Sequence, residues 1–417
     1  MSKEKLFTGY QVFIVAILAF LQFTIILDFM VLSPLGAQLL EELNISTQQF
    51  GWVVSAYAFS AGAAGLMAAG FADRYDRKRM LLFFYTGFIV GTFLCGIAPN
   101  YHFLLFARII TGLFGGVIGS VIFAIITDLF SMEVRGRVMG FVQMAFAVSQ
   151  VLGLPVGLYL ANLWGWHAPF LLIVGVSVPA FVAIVWKMKP VNAHLALHAG
   201  HSAIKHLSKT LSRKRYMTGF AATTLLATGG FMLMPFGSAF AVHNLGLTLE
   251  QLPMVYMVTG IFSMITGPLI GQMSDKLGKY PVFVAGSILS MILVVVYTNW
   301  GVTPVWTVIA LNTVLFVGIT SRMVSSSALM SAVPDPADRG AFMGVNSSVA
   351  QVSGGFASAL AGMIVVQTPA GKLEHYPTLG YVVVASMIVT IVMMYFIDRM
   401  VKREPKVENA PPRRAMT

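Results

Sequence analysis

Charged residues inside long apolar runs are the first candidates for chemistry in this sequence. Asp28, Arg108 and Arg322 each lie within such a run. An ionised side chain in apolar surroundings is costly unless it meets an opposite charge, water or a charged ligand. These three residues therefore predict a proton relay, an ion pathway or a ligand site.

Asp28 is predicted to bind and release a proton. It lies about eight residues, or ~12 Å, from the end of the first apolar run. Burial favours the neutral form of a carboxyl group, whereas a nearby cation favours the charged form. Thr24 lies one helical turn earlier on the same face. A structural acid bonded to a neighbouring helix is the alternative interpretation.

Arg108 is predicted to lie at a depth similar to that of Asp28, ~9 Å from the outer end of the fourth run, where that run begins. An arginine keeps its charge there, so it needs a carboxylate, water or an anionic substrate group. A pair with Asp28 that opens on protonation would couple protons to conformation. Asp28 and Arg108 are therefore the predicted proton-coupling residues.

Arg322 belongs to the tenth apolar run and has no counterpart in the fourth. A shift by the repeat offset of 204 residues, described below, brings Arg108 onto Asn312 instead. Arg322 lies about ten residues, or ~15 Å, closer to the predicted cytoplasmic side. It could bind a substrate anion, brace an acid at the cytoplasmic mouth or partly snorkel, and the sequence leaves these options open.

The elements that position these residues are predicted to be membrane-spanning helices. Of the 417 residues, 57% are hydrophobic and 10% are charged, whereas soluble domains average about 25% charged residues. A helix that crosses ~30 Å of hydrocarbon needs ~20 apolar residues. The predicted spans are Tyr10–Gly36, Phe50–Phe71, Met80–Pro99, His102–Phe130, Val138–Leu163, His167–Met188, Tyr216–His243, Leu252–Met273, Pro281–Trp300, Pro304–Val333, Ala341–Gln367 and Tyr376–Met400.

Basic residues mark one side of the predicted membrane. They occupy both tails and every second loop, and the opposite loops contain only Lys372. The positive-inside rule then predicts a multi-pass protein of the cell (inner) membrane with both termini in the cytoplasm. This topology accounts for the net charge of +11 without a nucleic-acid partner. The single cysteine, Cys95, excludes an internal disulfide and a thiolate metal cluster.

The sequence repeats itself in its two halves. The segment from Arg135 to Gly140 recurs from Arg339 to Gly344 with four of its six residues identical, an offset of 204 residues. Two halves, 1–188 and 216–417, are therefore predicted, with a cytoplasmic linker at 189–215. The linker contains four histidines, but no carboxylate or thiolate there supports a metal site. These histidines are His194, His198, His201 and His206.

The short loops after the second and eighth spans each combine an acid with several bases. Asp73 and Asp275 could cap neighbouring helix N-termini, and the bases could pair with acids at other span ends. We predict a cytoplasmic latch between two rocking halves, with plain positive-inside topology as the alternative. The predicted latch residues are Asp73, Arg74, Arg77, Asp128, Gly271, Asp275, Lys276, Gly278 and Lys279.

These loops resemble the G-x-x-x-D-[RK]-x-G-[RK]-[RK] signature of the major facilitator superfamily. The copy that starts at Gly271 departs from it only at Tyr280, and the first copy has Ala69 and Asp76 at the two glycine positions. The resemblance covers nearly the whole chain. It implies an all-α transmembrane fold of twelve helices in two pseudo-symmetric six-helix bundles, with the ligand site near midplane between them.

Two further segments are similar to motifs of that family. Arg108 to Gly112 looks like the fourth-span R-x-x-x-G motif, which the family associates with proton transfer. Ser149 to Leu158 is similar to the fifth-span exporter signature G-x-x-x-G-P-x-x-G-G, with its proline one place late. Small residues and proline permit close packing and a kink. The predicted helix-packing residues are Gly112, Gly153, Pro155 and Gly157.

The resemblance is greatest to twelve-span drug/sugar:proton antiporters of the arabinose-efflux-permease-like group. In that family, spans one, four, seven and ten line the cavity, and two, five, eight and eleven flank it. Polar residues on these spans are predicted to bind substrate, and hydrogen bonding between helices is the alternative for each of them. They are Gln22, Thr24, Gln150, Asn312, Arg322, Asn346 and Gln351.

The sequence thus predicts a proton-coupled secondary transporter that exports small drug-like or sugar-like molecules by alternating access. A proton-coupled uptake symporter of the same fold is the alternative. A membrane enzyme would need clustered His, Asp or Glu residues, and a channel would need a charged pore ring in an oligomer. The predicted partners are a small-molecule substrate, protons and lipid. No cofactor, metal or nucleic acid is expected, and the chain is predicted to be monomeric.

Overall fold

Long helices form the framework of the protein. The computed structural model describes residues 7–68, 75–192, 195, 210–335 and 338–402. Within these residues, eleven helices are long and apolar enough to cross a membrane. A further helix, Arg339–Ile364, has 26 residues, which is also enough for a span. It is less apolar because glycines and serines replace large side chains along its length.

The first half of the chain contains spans one to six. The first span ends at Val31, so the predicted extension to Gly36 is wrong: a turn follows, and then the short helix Gly36–Glu42. The fifth span is built from several segments, one of them a π-helical turn at Ser149–Gly153. The helices are Gly9–Val31, Thr47–Ala68, Arg77–Gly96, Tyr101–Leu129, Met132–Gln143, Ala145–Val148, Leu154–Trp164 and Ala168–Lys187.

The second half contains spans seven to twelve. The eleventh span ends at Ile364 rather than at Gln367, because Val366–Gln367 pairs with Leu373–Glu374 in a two-stranded antiparallel sheet. Short 3-10 turns, Met234–Phe236 and Leu249–Gln251, interrupt span seven and begin span eight. The helices are Lys214–Leu233, Gly237–His243, Leu252–Leu277, Lys279–Thr298, Val305–Ser331, Arg339–Ile364 and Tyr376–Lys402.

Local capping explains where several spans begin. Thr8 and Gln11 form a capping box at the start of the first span. The Asn100 side chain accepts a hydrogen bond from the Phe103 amide at 3.0 Å at the start of the fourth span. Gly278, with φ of +97°, makes the turn between spans eight and nine, a conformation that favours glycine.

The two ends of the helix bundle are distinguished here by their loops. The basic side is the one at which the first span begins and the twelfth span ends. The opposite side is the one at which the first span ends and the second begins. Because consecutive spans alternate in direction, the beginning of span two and the end of span eleven both lie on the opposite side.

Spans two and eleven form a close-packed seam between the two halves. A Cβ built at Gly51 would lie 2.9 Å from the Ser358 carbonyl oxygen, and one at Gly362 would lie 2.8 Å from the Thr47 carbonyl oxygen. The Ser55 hydroxyl donates to the Gly355 carbonyl at 2.7 Å. Such close backbone approach requires small residues, which explains why the eleventh span is poorer in large apolar side chains.

Candidate proton and substrate site

Asp28 and Arg108 form an ion pair inside the first half. Arg108 Nη1 lies 2.8 Å from Asp28 Oδ2, and the side chains are 1% and 0% exposed. The Thr92 hydroxyl donates to Asp28 Oδ1 at 3.1 Å. Each carboxylate oxygen therefore has its own donor, and opening the pair would leave two charges in a low-dielectric interior.

Aromatic rings connect this ion pair to the second half. The Arg108 guanidinium lies over the Tyr57 ring, 4.5 Å from its centroid, a cation–π geometry. The Tyr57 ring contacts Phe29 with centroids 5.4 Å apart. Phe29 also contacts Phe231 of span seven at 5.8 Å. A continuous set of contacts thus runs from the carboxylate to a ring of the other half.

Small residues bring the ion-pair helices together. A Cβ at Gly112 would lie 2.5 Å from the Tyr57 carbonyl oxygen, and one at Gly91 would lie 2.7 Å from the Thr111 amide nitrogen. Spans two and three therefore pack directly against span four. In the same way, a Cβ at Gly153 would lie 2.7 Å from Leu27 Cδ1. Pro155 follows at the start of Leu154–Trp164, so the fifth span packs against the residue next to Asp28.

Two of the predicted substrate residues, Thr24 and Asn346, form hydrogen bonds within their own half. The buried Thr24 hydroxyl donates to the Leu21 carbonyl at 2.8 Å and lies 3.3 Å from the Tyr85 hydroxyl. The Thr223 hydroxyl donates to Asn346 Oδ1 at 2.6 Å. Hydrogen bonding between or within helices thus accounts for their polarity in this conformation, and a substrate role stays a prediction.

The other predicted amides differ in how their oxygens are used. Gln22 Oε1 and Gln351 Oε1 are buried and have no hydrogen-bond partner. Asn312 is half-buried. The Gln150 main chain lies at the interface between the halves, because its carbonyl oxygen would be 3.2 Å from a Cβ at Gly260 of span eight. Gln22 and Gln351 therefore retain acceptors for a ligand.

The predicted latch residues that lie in the described part of the chain make contacts inside their own halves. Arg77 Nε pairs with Asp128 Oδ2 at 3.1 Å, which joins spans three and four. Asp275 does not cap a helix as expected. Instead, it forms an ion pair with Lys279, four residues on. Lys276 lies in the last turn of span eight, and Gly271 has no atom near the position of its absent Cβ.

The first of the two acidic loops is only partly described. Asp73 and Arg74 lie outside the described residues, as do the histidines of the linker. Asp76 is the acid that caps span three, because its side chain accepts from the Arg79 amide at 2.9 Å. Asp76 thus provides a helix cap of the kind expected from Asp73 or Asp275. The sequence analysis noted Asp76 only as a departure from a glycine of the family signature.

A cluster that the sequence did not predict joins spans seven and eleven on the basic side. Arg213 Nη1 lies 2.6 Å from Asp335 Oδ2 and 2.8 Å from Asp338 Oδ2. The Tyr216 hydroxyl donates to Asp338 Oδ2 at 2.8 Å. Only the density of basic residues before span seven hinted at it, since the partners are 122 and 125 positions away.

Replacing Arg213 with glutamine is expected to change the acid stability of the second half. The hydrogen bond from Arg213 holds the pKa of Asp335 below its ordinary value. Stabilisation from such a carboxylate is present above its unfolded-state pKa and is lost as pH falls through the lower folded-state value. Thermal unfolding of purified protein between about pH 3 and 6 should therefore show a smaller loss of stability on acidification in Arg213→Gln. Equal pH profiles would contradict this assignment.

The halves are joined by hydrogen bonds near the opposite side. The Thr47 hydroxyl donates to the Val365 carbonyl at 2.5 Å, and the Asn162 amide donates to the Leu249 carbonyl at 2.9 Å. The Ser238 hydroxyl donates to the Ser33 carbonyl at 2.9 Å. The Ser55–Gly355 hydrogen bond described above and a longer one from the Thr47 hydroxyl to the Gly362 carbonyl at 3.4 Å also join the halves. The opposite side is therefore the closed end of the bundle.

Two sets of long apolar helices with buried charged residues inside them, joined near one end, are the architecture of a membrane transporter. A family model described as the Major Facilitator Superfamily matches residues 18–263 and 219–416. The chain belongs to the Major Facilitator Superfamily. This confirms the family resemblance and the predicted all-α transmembrane fold.

Known relatives are transporters of the same family. The chain is 31% identical over 268 residues to the uncharacterized MFS-type transporter YceJ of Bacillus subtilis, covering 64% of this chain and 68% of that one. It is 22% identical over 371 residues to Multidrug resistance protein 2 of Bacillus subtilis, covering 86% and 90%. The fold is similar to a crystal structure of the nucleoside transporter NupG, with a TM-score of 0.73, 13% identity and coverage of 92% and 99%.

Proposed function

We propose that this protein is a proton-coupled exporter of small organic molecules that works by alternating access. The observation that carries the proposal is the fully buried ion pair between Asp28 and Arg108, with atoms 2.8 Å apart. A carboxylate that can gain a proton, held by a cation that cannot lose one, has two alternative charge states. Proton binding then has a direct structural consequence, because it removes the attraction that holds the arginine.

The cycle follows from these two charge states. With Asp28 ionised, Arg108 is held against it and against the Tyr57 ring. A proton that enters from outside neutralises Asp28 and releases Arg108. Because Tyr57, Phe29 and Phe231 are in contact, the release alters packing between the halves. A change of this kind biases which end of the bundle is closed, and a ligand or proton shifts that balance by its differential affinity for the two states.

We infer an inward-facing conformation because the hydrogen bonds between the halves lie near the opposite side, while spans two and eleven stay in contact as far as Gly65 and Ser348. Basic loops face the cytoplasm in membrane proteins, so the opposite side is taken to face the exterior. Substrate would then enter from the basic side. Similarity to a multidrug resistance protein supports export as the direction and an organic molecule as the cargo.

Proton release from everted vesicles tests the proposal. In such vesicles the basic side faces the medium and the acidified lumen corresponds to the exterior. Substrate added to the medium should release protons from the lumen, seen as recovery of a quenched pH-sensitive dye. Asp28→Asn should reduce this signal to the level of vesicles that lack the protein, because the amide cannot bind a proton reversibly. Glu374→Gln removes an exposed acid of the two-stranded sheet and should behave like the unaltered protein.

The same assay separates export from uptake. Substrate-driven proton movement in the reverse direction would identify a symporter and overturn the proposed direction. Full proton release by Asp28→Asn would overturn the role of Asp28. A panel of fluorescent drug-like dyes is the practical set of probes, because dye transport and proton release can be followed in one sample.

A further inference from the structure

Arg322 is a buried cation in the second half that lacks a counter-charge. It is 7% exposed, and its Nη1 atom has no hydrogen-bond partner. Its guanidinium lies 5.6 Å from the centroid of the Phe283 ring, a contact with an aromatic face rather than with an anion. No carboxylate among the described residues pairs with it. A buried guanidinium in this condition is costly to retain.

Arg322 differs from the buried arginine of the first-half ion pair, Arg108, in how it is held. Arg108 has Asp28 at 2.8 Å, so the centre of the first half is electrically balanced. The acids of the second half lie near the ends of its spans, and Asp275 and Asp398 are each paired with a lysine four residues on. The centre of the second half therefore carries an uncompensated positive charge.

Span seven faces the Arg322 guanidinium with a glycine instead of a side chain. Span seven carries two successive glycines, Gly229 and Gly230. A Cβ at Gly229 would be 3.9 Å from Arg322 Nη2, and a Cβ at Gly230 would meet no atom within 4 Å. At Gly229 the backbone of span seven thus faces Arg322 Nη2 with no side chain of its own between them.

We propose that Arg322 binds the carboxylate of the transported molecule, so that the substrate class is organic anions with a single negative charge. One arginine matches one carboxylate in charge and in its forked geometry. A dianionic phosphate would keep excess charge in the same place. The inference rests on the proposed transport function and names the substrate group that the site selects. A membrane potential that is negative inside then favours both the export of the anion and the entry of the proton.

Thermal stabilisation by matched ligands tests this assignment. Purified full-length protein is heated with aromatic carboxylates and with their uncharged amides, for example 2-naphthoate against 2-naphthamide. Carboxylates should raise the apparent Tm more than their amides do, since a ligand stabilises the state it binds. Arg322→Gln should abolish that preference and weaken carboxylate binding by about tenfold or more, which is the scale of one charged hydrogen bond. Arg322→Lys should retain part of it.

Two controls keep the result interpretable. Lys372→Gln removes a positive charge from the same half, in the loop before span twelve, and should leave the carboxylate preference intact. The ligand-free Tm of Arg322→Gln should equal or exceed that of the unaltered protein, because no partner loses a bond. A lowered ligand-free Tm would assign Arg322 a structural role and overturn the proposal. So would a panel in which no carboxylate stabilises the protein more than its amide.

This binding test does not depend on proton movement. It is made in detergent without a gradient, so a failed proton-release assay would leave the carboxylate preference standing. Conversely, proton-coupled export of uncharged dyes alone would leave the proposed function standing and remove the assigned substrate class.

Discussion

Replacing Arg108 with glutamine is expected to destabilise the protein more than replacing any other charged residue of the spans. Asp28 would remain fully buried with only the Thr92 hydroxyl as a donor. Removing one partner of a buried ion pair typically costs about 3–5 kcal/mol. The expected result is a clear fall in the apparent Tm of the purified protein.

The double variant Asp28→Asn/Arg108→Gln separates stability from function. Two neutral amides can hydrogen-bond to each other, so much of the lost stability should return. Proton release should remain absent, because no group at the site titrates. A double variant less stable than Arg108→Gln alone would contradict the assignment of the destabilisation to an unpaired carboxylate.

Arg322→Gln is the matched comparison for this prediction. Both substitutions remove a buried arginine, but only Arg108 has a carboxylate partner. The ion-pair argument therefore predicts a fall in Tm for Arg108→Gln and none for Arg322→Gln. Similar losses in both variants would show that burial of the arginine stem, rather than pairing, sets its contribution.

Replacing Gly362 with leucine is expected to open the closed end of the bundle. The position of its Cβ is 2.8 Å from the Thr47 carbonyl oxygen, so a larger side chain must push span eleven away from span two. Overpacking of this kind costs about 1–3 kcal/mol. Only the closed conformation bears that cost, so the population of the open conformation should rise by about tenfold or more.

Cysteine labelling from the side of the membrane that the closed end faces, which is the outside of the cell in the proposed orientation, measures this shift. Ser238 is 1% exposed at the closed end and donates to the other half, so Ser238→Cys marks opening there. A membrane-impermeant maleimide should label it slowly in the unaltered background and faster when Gly362→Leu is added. The native Cys95 is fully buried and serves as an internal blank. Gly175→Leu is the control, because a Cβ there meets no atom within 4 Å. Unchanged labelling in Gly362→Leu would refute the assigned closure.

The long spans could be predicted from apolar length, and the Asp28–Arg108 contact from matching depth together with opposite charge. Apolar length locates a span, and residues at matching depth in neighbouring helices can meet. Thr92 and Tyr57 could not be assigned to the pair, because partner choice also depends on the rotation of each helix about its axis. Hydropathy does not predict that rotation.

Helix ends and irregular turns were predicted less well, for physical reasons. Leu32 and Leu35 flank Ser33 and Pro34, so hydropathy extended the predicted span past Val31, although serine and proline are typical of a turn. The π-helical turn at Ser149–Gly153 changes hydrogen bonding without changing composition. Arg213 and Asp335 meet only because spans seven and eleven pack together, and their separation of 122 positions hides the contact from any local pattern.

The π-helical turn divides the fifth span into two helical segments that can rotate relative to each other. The part after it, Leu154–Trp164, includes Asn162, which is tied to span eight of the other half at 2.9 Å. The part before it includes Val138 and Val142, which are packed in the main hydrophobic core. A π turn that reverts to α geometry shortens the local loop of hydrogen bonds by one residue and rotates one part against the other. The fifth span can therefore bend at the π-helical turn. Its earlier part packs in the hydrophobic core, and its later part is hydrogen-bonded to the other half.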